Sequence, residues 1–367
     1  MTQGTPSPAP LARLRERLER ERLPAACVTD PISIAYLTGF RADTAERLMA
    51  LAVSAEAATL VVPALELDNA ESQVREIEVV GWKDGQDPWR ALAGALGSQP
   101  RIGVEKGHLT LWAAERLTSH VDSAQLVDVG ETIRRLRILK TPAELDAMAR
   151  AAAATDRLTE RLLQTLEAGQ TESEVATTLA RLTAEEGALL SFPPLVQSGP
   201  NSALPHLQPS ARKLQPGDLV LLDFGAAVDS YTGDTTRMAV VGQSDARQAE
   251  LHGLVLEAHD AAVAAVRPGA TTGEVDAAAR SVIAAAGLGD RFIHRIGHGI
   301  GLQVHEDPSL DPGSTLAVEE GMTFTIEPGV YIPGWGGVRI EDDLVVEAGG
   351  ARLLTAAPRE LFVVPAT

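Results

Sequence analysis

A stretch of sequence that occurs twice constrains this chain more than any single motif. Gly169-Gln-Thr171-Glu-Ser-Glu174-Val175 matches Gly269-Ala-Thr271-Thr-Gly-Glu274-Val275, an offset of 100 residues. Each copy opens with a threonine followed three residues on by a glutamate, the reciprocal cap of a helix start, and each predicted helix stops at a glycine, Gly187 or Gly287. Beyond those helices, Pro205-His206 in one copy answers Val304-His305 in the other. Next, Gly217-Asp-Leu-Val-Leu-Leu-Asp223-Phe-Gly225 aligns with Gly321-Met-Thr-Phe-Thr-Ile-Glu327-Pro-Gly329, so a carboxylate stands six residues after one glycine and two before another. A second acid follows a glycine-containing loop in each copy, Asp234 in one and Glu341 in the other. The repeat predicts two related helix-then-hairpin halves, each delivering one histidine and two carboxylates.

The β-branched, apolar runs 219–223 and 322–327 predict strands, as do the stretches carrying Asp234 and Glu341. Two such halves face to face bring four carboxylates together on sheets that are otherwise apolar. Four buried carboxylates cannot all stay ionised without compensating positive charge, and divalent cations supply it. With one imidazole added, His298 in Gly-His-Gly-Ile-Gly, the set suits two borderline or hard ions such as Mn²⁺, Co²⁺, Fe²⁺ or Zn²⁺. A site for Ca²⁺ or Mg²⁺ alone has less use for the imidazole.

The rest of the chain reads as a second domain. Residues 11–23 form a charged helix with Leu14 and Leu18 at helical spacing, followed by alternating short apolar runs, which implies an α/β domain. Thr141, Pro142 and Glu144 then supply an N-cap, a first-turn proline and a capping-box acid for a long alanine-rich helix running to about residue 168. The boundary is placed before it, giving domains 1–135 and 136–367; a chain of 367 residues is longer than one hydrophobic core usually serves. Acidic residues outnumber basic ones 50 to 32, a formal charge of -18 that repels phosphate backbones and anionic membrane surfaces. Nucleic acid and membrane are therefore excluded as expected partners. Cys27 is the only cysteine, so neither an internal disulfide nor a thiolate cluster is available. With no signal-like N-terminus and no apolar run of membrane length, the protein is expected in the cytoplasm.

The ordered set Asp223, Asp234, His298, Glu327 and Glu341, inside GHGIGLQVHE, TIEPG and RIED, resembles the pita-bread metallopeptidases: methionine aminopeptidase, Xaa-Pro aminopeptidase and prolidase. YLTGF near residue 36 and the stretch RRLRILKTPAEL resemble the proline-specific branch. The resemblance implies a creatinase-like α/β N-terminal domain and an α+β pita-bread catalytic domain with an internal pseudo-two-fold repeat. It implies two divalent metal ions per subunit, most readily Mn²⁺ or Co²⁺, with Zn²⁺ or Fe²⁺ as alternatives, and a homodimer. Asp223 and Glu327 would each contact mainly one ion, Asp234 and Glu341 would bridge both, and His298 would complete one coordination sphere. A hydroxide shared by the ions would attack the peptide, with Glu327 as general base and His206 and His305 stabilising the tetrahedral intermediate. Asp-Phe-Gly at 223–225 also spells the kinase magnesium motif, but the loops that accompany it in kinases are missing.

The implied substrate is a small peptide with proline in second position, most readily a Xaa-Pro dipeptide. Action on longer peptides, as in a Xaa-Pro aminopeptidase, is the alternative; a non-catalytic pita-bread binding module is a reading from another class, and the full ligand set speaks against it. Many prolidases carry an arginine four residues after the second histidine, where this chain has Ser309. A dipeptide carboxylate then needs another cation, and Arg41 and Arg47, from this or a second subunit, are the candidates. Other expectations are less specific. His294 stands behind the ligands or against substrate, while Tyr231 and Arg339 pack, pair with ligating acids or touch substrate, and Arg339 is the readier of the two to stand behind the ligands, since a guanidinium beside carboxylates is readily bidentate. His252 and His259 are surface or packing residues on a helix, and 328–337 is structural or pocket wall.

Overall fold

The computed structural model describes residues 10–121 and 124–366. The chain divides into two compact units, Met1–Arg137 and Ile138–Thr367.

The first unit is α/β. Its six-stranded mixed sheet places Ala25–Val28 antiparallel to Ala50–Ser54 and parallel to Arg101–Val104, with Glu78–Trp82 and Gln125–Asp128 at the edges. The central strands are buried along their length, which is why they read as short continuous apolar runs rather than as alternation. Asp-Pro pairs start two of its helices: Asp30 and Asp87 each accept a hydrogen bond from the backbone N–H two residues on, and the proline occupies a position that needs no donor. Cys27 lies in the core with Trp82 and Trp89. The N-terminal helix spans Pro10–Arg20.

The second unit reproduces the sequence repeat in three dimensions. Thr171–Glu174 and Thr271–Glu274 both form complete capping boxes, opening the helices Glu172–Glu185 and Thr272–Ala285. Gly187 and Gly287 follow these helices with φ of 70° and 76°, a left-handed conformation that residues other than glycine adopt at a cost. Gly169 N–H donates to Leu214 and Gly269 N–H to Val318, at 2.8 and 2.9 Å. The first half builds a four-stranded sheet in which Leu219–Phe224 lies between Leu195–Ser198 and Thr235–Val241. The second builds a five-stranded sheet in which Thr323–Ile326 lies between His298–Gly299 and Asp342–Glu347.

Each half has its own core. Val220, Leu222 and Phe224 pack with Leu158, Leu162 and Leu179 in one. Phe324, Ile326, Leu344 and Val346 pack with Val255, Ala279 and Ile283 in the other. Full burial of such side chains contributes about 1.5–3 kcal/mol each, enough to hold the strands that carry the acids rigid.

Some boundaries differ from the expectation. The helix opened by the Thr141–Glu144 capping box ends at Leu163, short of residue 168. The predicted strand 322–327 is Thr323–Ile326, so Glu327 projects from just beyond its end. Asp234 and Glu341 likewise precede the strands Thr235–Val241 and Asp342–Glu347 instead of lying inside them. Strand ends are where side chains leave the regular sheet and converge. Of the two helix histidines, the surface alternative is corrected. Both are buried in the helix Ala246–Ala265, and His259 Nε2 lies 3.0 Å from Asp342 Oδ2. Among the described residues, no helix is long and apolar enough to cross a membrane.

Candidate metal centre

The two halves meet at their second acids. Glu341 N–H donates to the carbonyl of Thr236 at 3.2 Å, and Thr235 Oγ1 donates to the carbonyl of Glu341 at 3.1 Å. This isolated bridge lies two residues after Asp234, so the acid of one half and the acid of the other share one backbone junction. Asp234, His298 and Glu341 present ligand atoms within 4.8 Å of one another, all buried. His298 Nε2 is also 3.4 Å from Glu327 Oε1. Asp223 belongs to the same cluster electrostatically, because its charge raises the pKa of Asp234, Glu341 and Glu327.

The cluster is short of positive charge. Burial, and then the charge of Glu341 and Asp223, push the Asp234 carboxyl well above the usual range. Burial followed by Glu327 and Asp223 does the same to Glu341, and burial lifts Glu327 to about 7 against the opposing pull of Arg339. Asp223 is raised by burial too, with Arg339 opposing. Asp223 Oδ1 and Asp234 Oδ1 are buried with no hydrogen-bond partner, an arrangement that native proteins reserve for special sites. His298 is oriented as a ligand: its Nδ1 is 3.1 Å from the Gly299 carbonyl, which fixes the N–H there and leaves Nε2 free towards the acids. Burial and then His305 hold this imidazole neutral, down to about 3. Unpartnered buried carboxylate oxygens beside a neutral imidazole nitrogen form a donor set that fits divalent cations.

Around the cluster, Arg339 touches three partners with three nitrogens. Nη2 donates to Asp223 Oδ2 at 2.5 Å, Nε to Thr236 Oγ1 at 3.0 Å and Nη1 to the Tyr331 hydroxyl at 2.9 Å. Arg339 thus pairs with one of the acids, as one of the expected alternatives had it, through a single nitrogen, and the rest of its fork goes to two hydroxyls. Thr236 passes the contact on, donating to Glu341 Oε2 at 2.6 Å. His294 takes its place behind the ligands. Its Nδ1 lies 2.8 Å from the Arg295 carbonyl and its Nε2 2.9 Å from the Tyr331 hydroxyl, so the tyrosine donates to the histidine while accepting from the arginine. Burial, and then Arg339, push His294 down to about 4, in keeping with this neutral tautomer.

His305 packs edge-on against His298 with ring centroids 4.2 Å apart, and its charge and that of His206 both reach Asp223. Both residues are solvent-exposed. The loop carrying His305 is tied down by a buried ion pair, Lys140 Nζ to Glu306 Oε1 at 2.7 Å. Tyr231 donates to Glu144 Oε1 at 3.0 Å, at the N-terminus of the long helix. In the first unit, Arg47 is ion-paired with Asp84 at 3.0 Å and Glu46 at 3.4 Å.

Two residues beside the cluster, Tyr331 and Arg295, carry no motif of their own in the sequence. Tyr331 falls in the segment read as structural or pocket wall. Tyr331 lies opposite Gly337, where a Cβ would strike first the Ser202 carbonyl and then the tyrosine ring. Arg295 is the other. Its Nη1 donates to Ser309 Oγ at 2.9 Å.

A duplicated half that delivers paired acids and an oriented imidazole to one buried junction defines a metal-dependent hydrolase. The chain belongs to metallopeptidase family M24, whose family model matches residues 146–348, while residues 10–139 match the creatinase/prolidase N-terminal domain. The Xaa-Pro dipeptidase of Lactobacillus helveticus is 37% identical over 363 residues, covering 97% of this chain and 99% of the relative. Among solved structures, the Xaa-Pro dipeptidase from Bacillus anthracis is 33% identical with a TM-score of 0.90, over 97% of this chain and 99% of the other. The X-Pro aminopeptidase from Thermotoga maritima MSB8 is 30% identical with a TM-score of 0.89, over 96% and 99%.

Proposed function

We propose that this chain hydrolyses the bond between an N-terminal residue and a following proline, with Xaa-Pro dipeptides as its preferred substrates. The observation that carries the reading is the buried group Asp234, His298 and Glu341, with Glu327 3.4 Å from His298 and Asp223 coupled to the acids by charge, in a chain similar along its whole length to Xaa-Pro dipeptidases. Asp223, Asp234, His298, Glu327 and Glu341 would hold two divalent ions, Mn²⁺ or Co²⁺ in the first instance. Bound there, such ions supply Lewis acidity and the positive charge that makes water a nucleophile near neutral pH.

The remaining steps belong to side chains. Glu327, beyond its strand end, accepts the proton of the attacking water as the new C–O bond forms. His206 and His305 donate hydrogen bonds to the carbonyl oxygen as it becomes an oxyanion. The C–N bond then breaks, and the proline nitrogen leaves as a secondary amine carrying the proton that Glu327 took from the water. His294 and Arg339 we assign to holding Asp223 and Thr236 in place. The proline ring fixes φ and removes the amide N–H on which ordinary peptidases rely, so the site reads its substrate from the two ends.

The likeness to an X-Pro aminopeptidase, together with Ser309 in place of the prolidase arginine, favours action on longer peptides as the second reading. We place the protein in the cytoplasm as a homodimer, since closed two-fold assemblies are common and a lone thiol suits a reducing compartment. The test is chelation followed by return of Mn²⁺ or Co²⁺, assayed on a Xaa-Pro dipeptide and on the same dipeptide extended by one residue. Activity lost and restored, with the dipeptide preferred, is the expected result. No tightly bound divalent ion and no restored cleavage would sink it.

A further inference from the structure

We propose that Arg295 reads the free carboxylate of a Xaa-Pro dipeptide, taking over the task that prolidases give to an arginine at the position of Ser309. This rests on the Xaa-Pro reading above and adds to it the residue that separates dipeptides from longer chains. Ser309 ends the strand Glu306–Ser309 directly opposite His298, and its hydroxyl accepts from Arg295 Nη1 at 2.9 Å. The guanidinium therefore occupies the neighbourhood of the side chain that would otherwise have carried the charge.

Two features mark Arg295 as waiting for an anion. It is half-buried, yet among the described residues no carboxylate forms an ion pair with it. Other arginines of the same unit are matched to acids: Arg339 holds Asp223, Arg280 holds Asp276 and exposed Arg157 holds Glu186. A single hydroxyl leaves most of its five N–H donors for a ligand, and their planar fork matches a carboxylate. Its position is also fixed, because the Arg295 carbonyl accepts from His294 Nδ1 and the His294 carbonyl from Arg280 Nη2 at 3.0 Å. An arginine at 309 would set a second guanidinium against the first. The small serine and Arg295 are thus one solution, and an arginine at 309 the other.

The experiment compares a Xaa-Pro dipeptide with its C-terminal amide, which lacks only the carboxylate charge, in the metal-loaded full-length enzyme. Wild type is expected to prefer the free acid. Arg295→Ala should raise KM for the acid about 10- to 100-fold and leave the amide within a factor of about two, erasing the preference. Adding Ser309→Arg to that variant should restore it. Because acid and amide are assayed on one preparation, loss of folded protein cancels in their ratio. A preference that survives Arg295→Ala, or disappears only in Arg41→Ala or Arg47→Ala, overturns the assignment, as does an equal loss on both substrates. Wild type that cleaves acid and amide equally overturns it while leaving Xaa-Pro cleavage standing. Wild type that cleaves neither removes the parent reading and this one with it.

Discussion

The hydroxyl of Tyr331 is the smallest part of the site whose removal has a computable cost. It accepts from Arg339 Nη1 and donates to His294 Nε2, both at 2.9 Å, and burial pushes its own pKa up to about 12, so it stays protonated across the working range. Tyr331→Phe leaves a buried guanidinium N–H without a partner, a cost of about 1–3 kcal/mol. The looser arginine then holds Asp223 and Thr236 less firmly. Metal affinity should fall about 10- to 100-fold, the usual cost of losing a group that orients a ligand. Metal titration by calorimetry decides this, and an unchanged affinity would mean that the tyrosine only fills space. The site's legibility divides along the same line. Asp223, Asp234, Glu327 and Glu341 were readable because the repeat presents each twice, and His298 because its glycines flank it. Tyr331 and Arg295 were not, because each acts through one contact across a strand pairing, and register is invisible in a single sequence.

At the scale of elements, the glycines around His298 have a mechanical explanation. His298–Gly299 is a strand of two residues, and a Cβ on Gly299 would collide with the Asp307 carbonyl, while one on Gly297 would meet the backbone of Thr325. The imidazole can stand between the strands Glu306–Ser309 and Thr323–Ile326 only because its neighbours have no side chains. Gly299→Ala should push the His305–Ser309 segment outward, lower the bound metal per folded chain and reduce Tm; metal analysis beside calorimetry checks both. Gly253 provides the contrast. In the helix Ala246–Ala265 a Cβ there meets nothing within 4 Å, and Gly253→Ala should stabilise by about 0.5–1 kcal/mol. Equal effects of the two substitutions would discredit the steric account. The helix starts and stops of the repeat were legible because capping chemistry is local. The displacement of Glu327 and both second acids to strand ends was not, since it depends on where the opposite half pairs.

The proposed metal centre lies within one of the two units, Ile138–Thr367, which gives a test no single substitution offers. An ion that binds only the folded state stabilises it by mass action, about 2.7 kcal/mol at a hundredfold excess over its dissociation constant. For a unit the size of Ile138–Thr367 that amounts to a Tm shift on the order of 5–10 °C. Without ions, the mutual repulsion of the four acids acts in the same direction. The first unit carries its own reporter, Cys27, which is the only thiol of the chain, is buried, and is pushed up to about 12 by burial and then by Glu105. Such a thiol is neutral at assay pH and reacts only once its core opens. Chelation should therefore lower the calorimetric transition of the second unit and leave the temperature at which Cys27 becomes modifiable where it was. If chelation moves neither transition, the carboxylate cluster is not a metal centre. If it moves Cys27 labelling alone, the cation is held by the first unit, and the reading of Asp223, Asp234, His298, Glu327 and Glu341 as ligands falls.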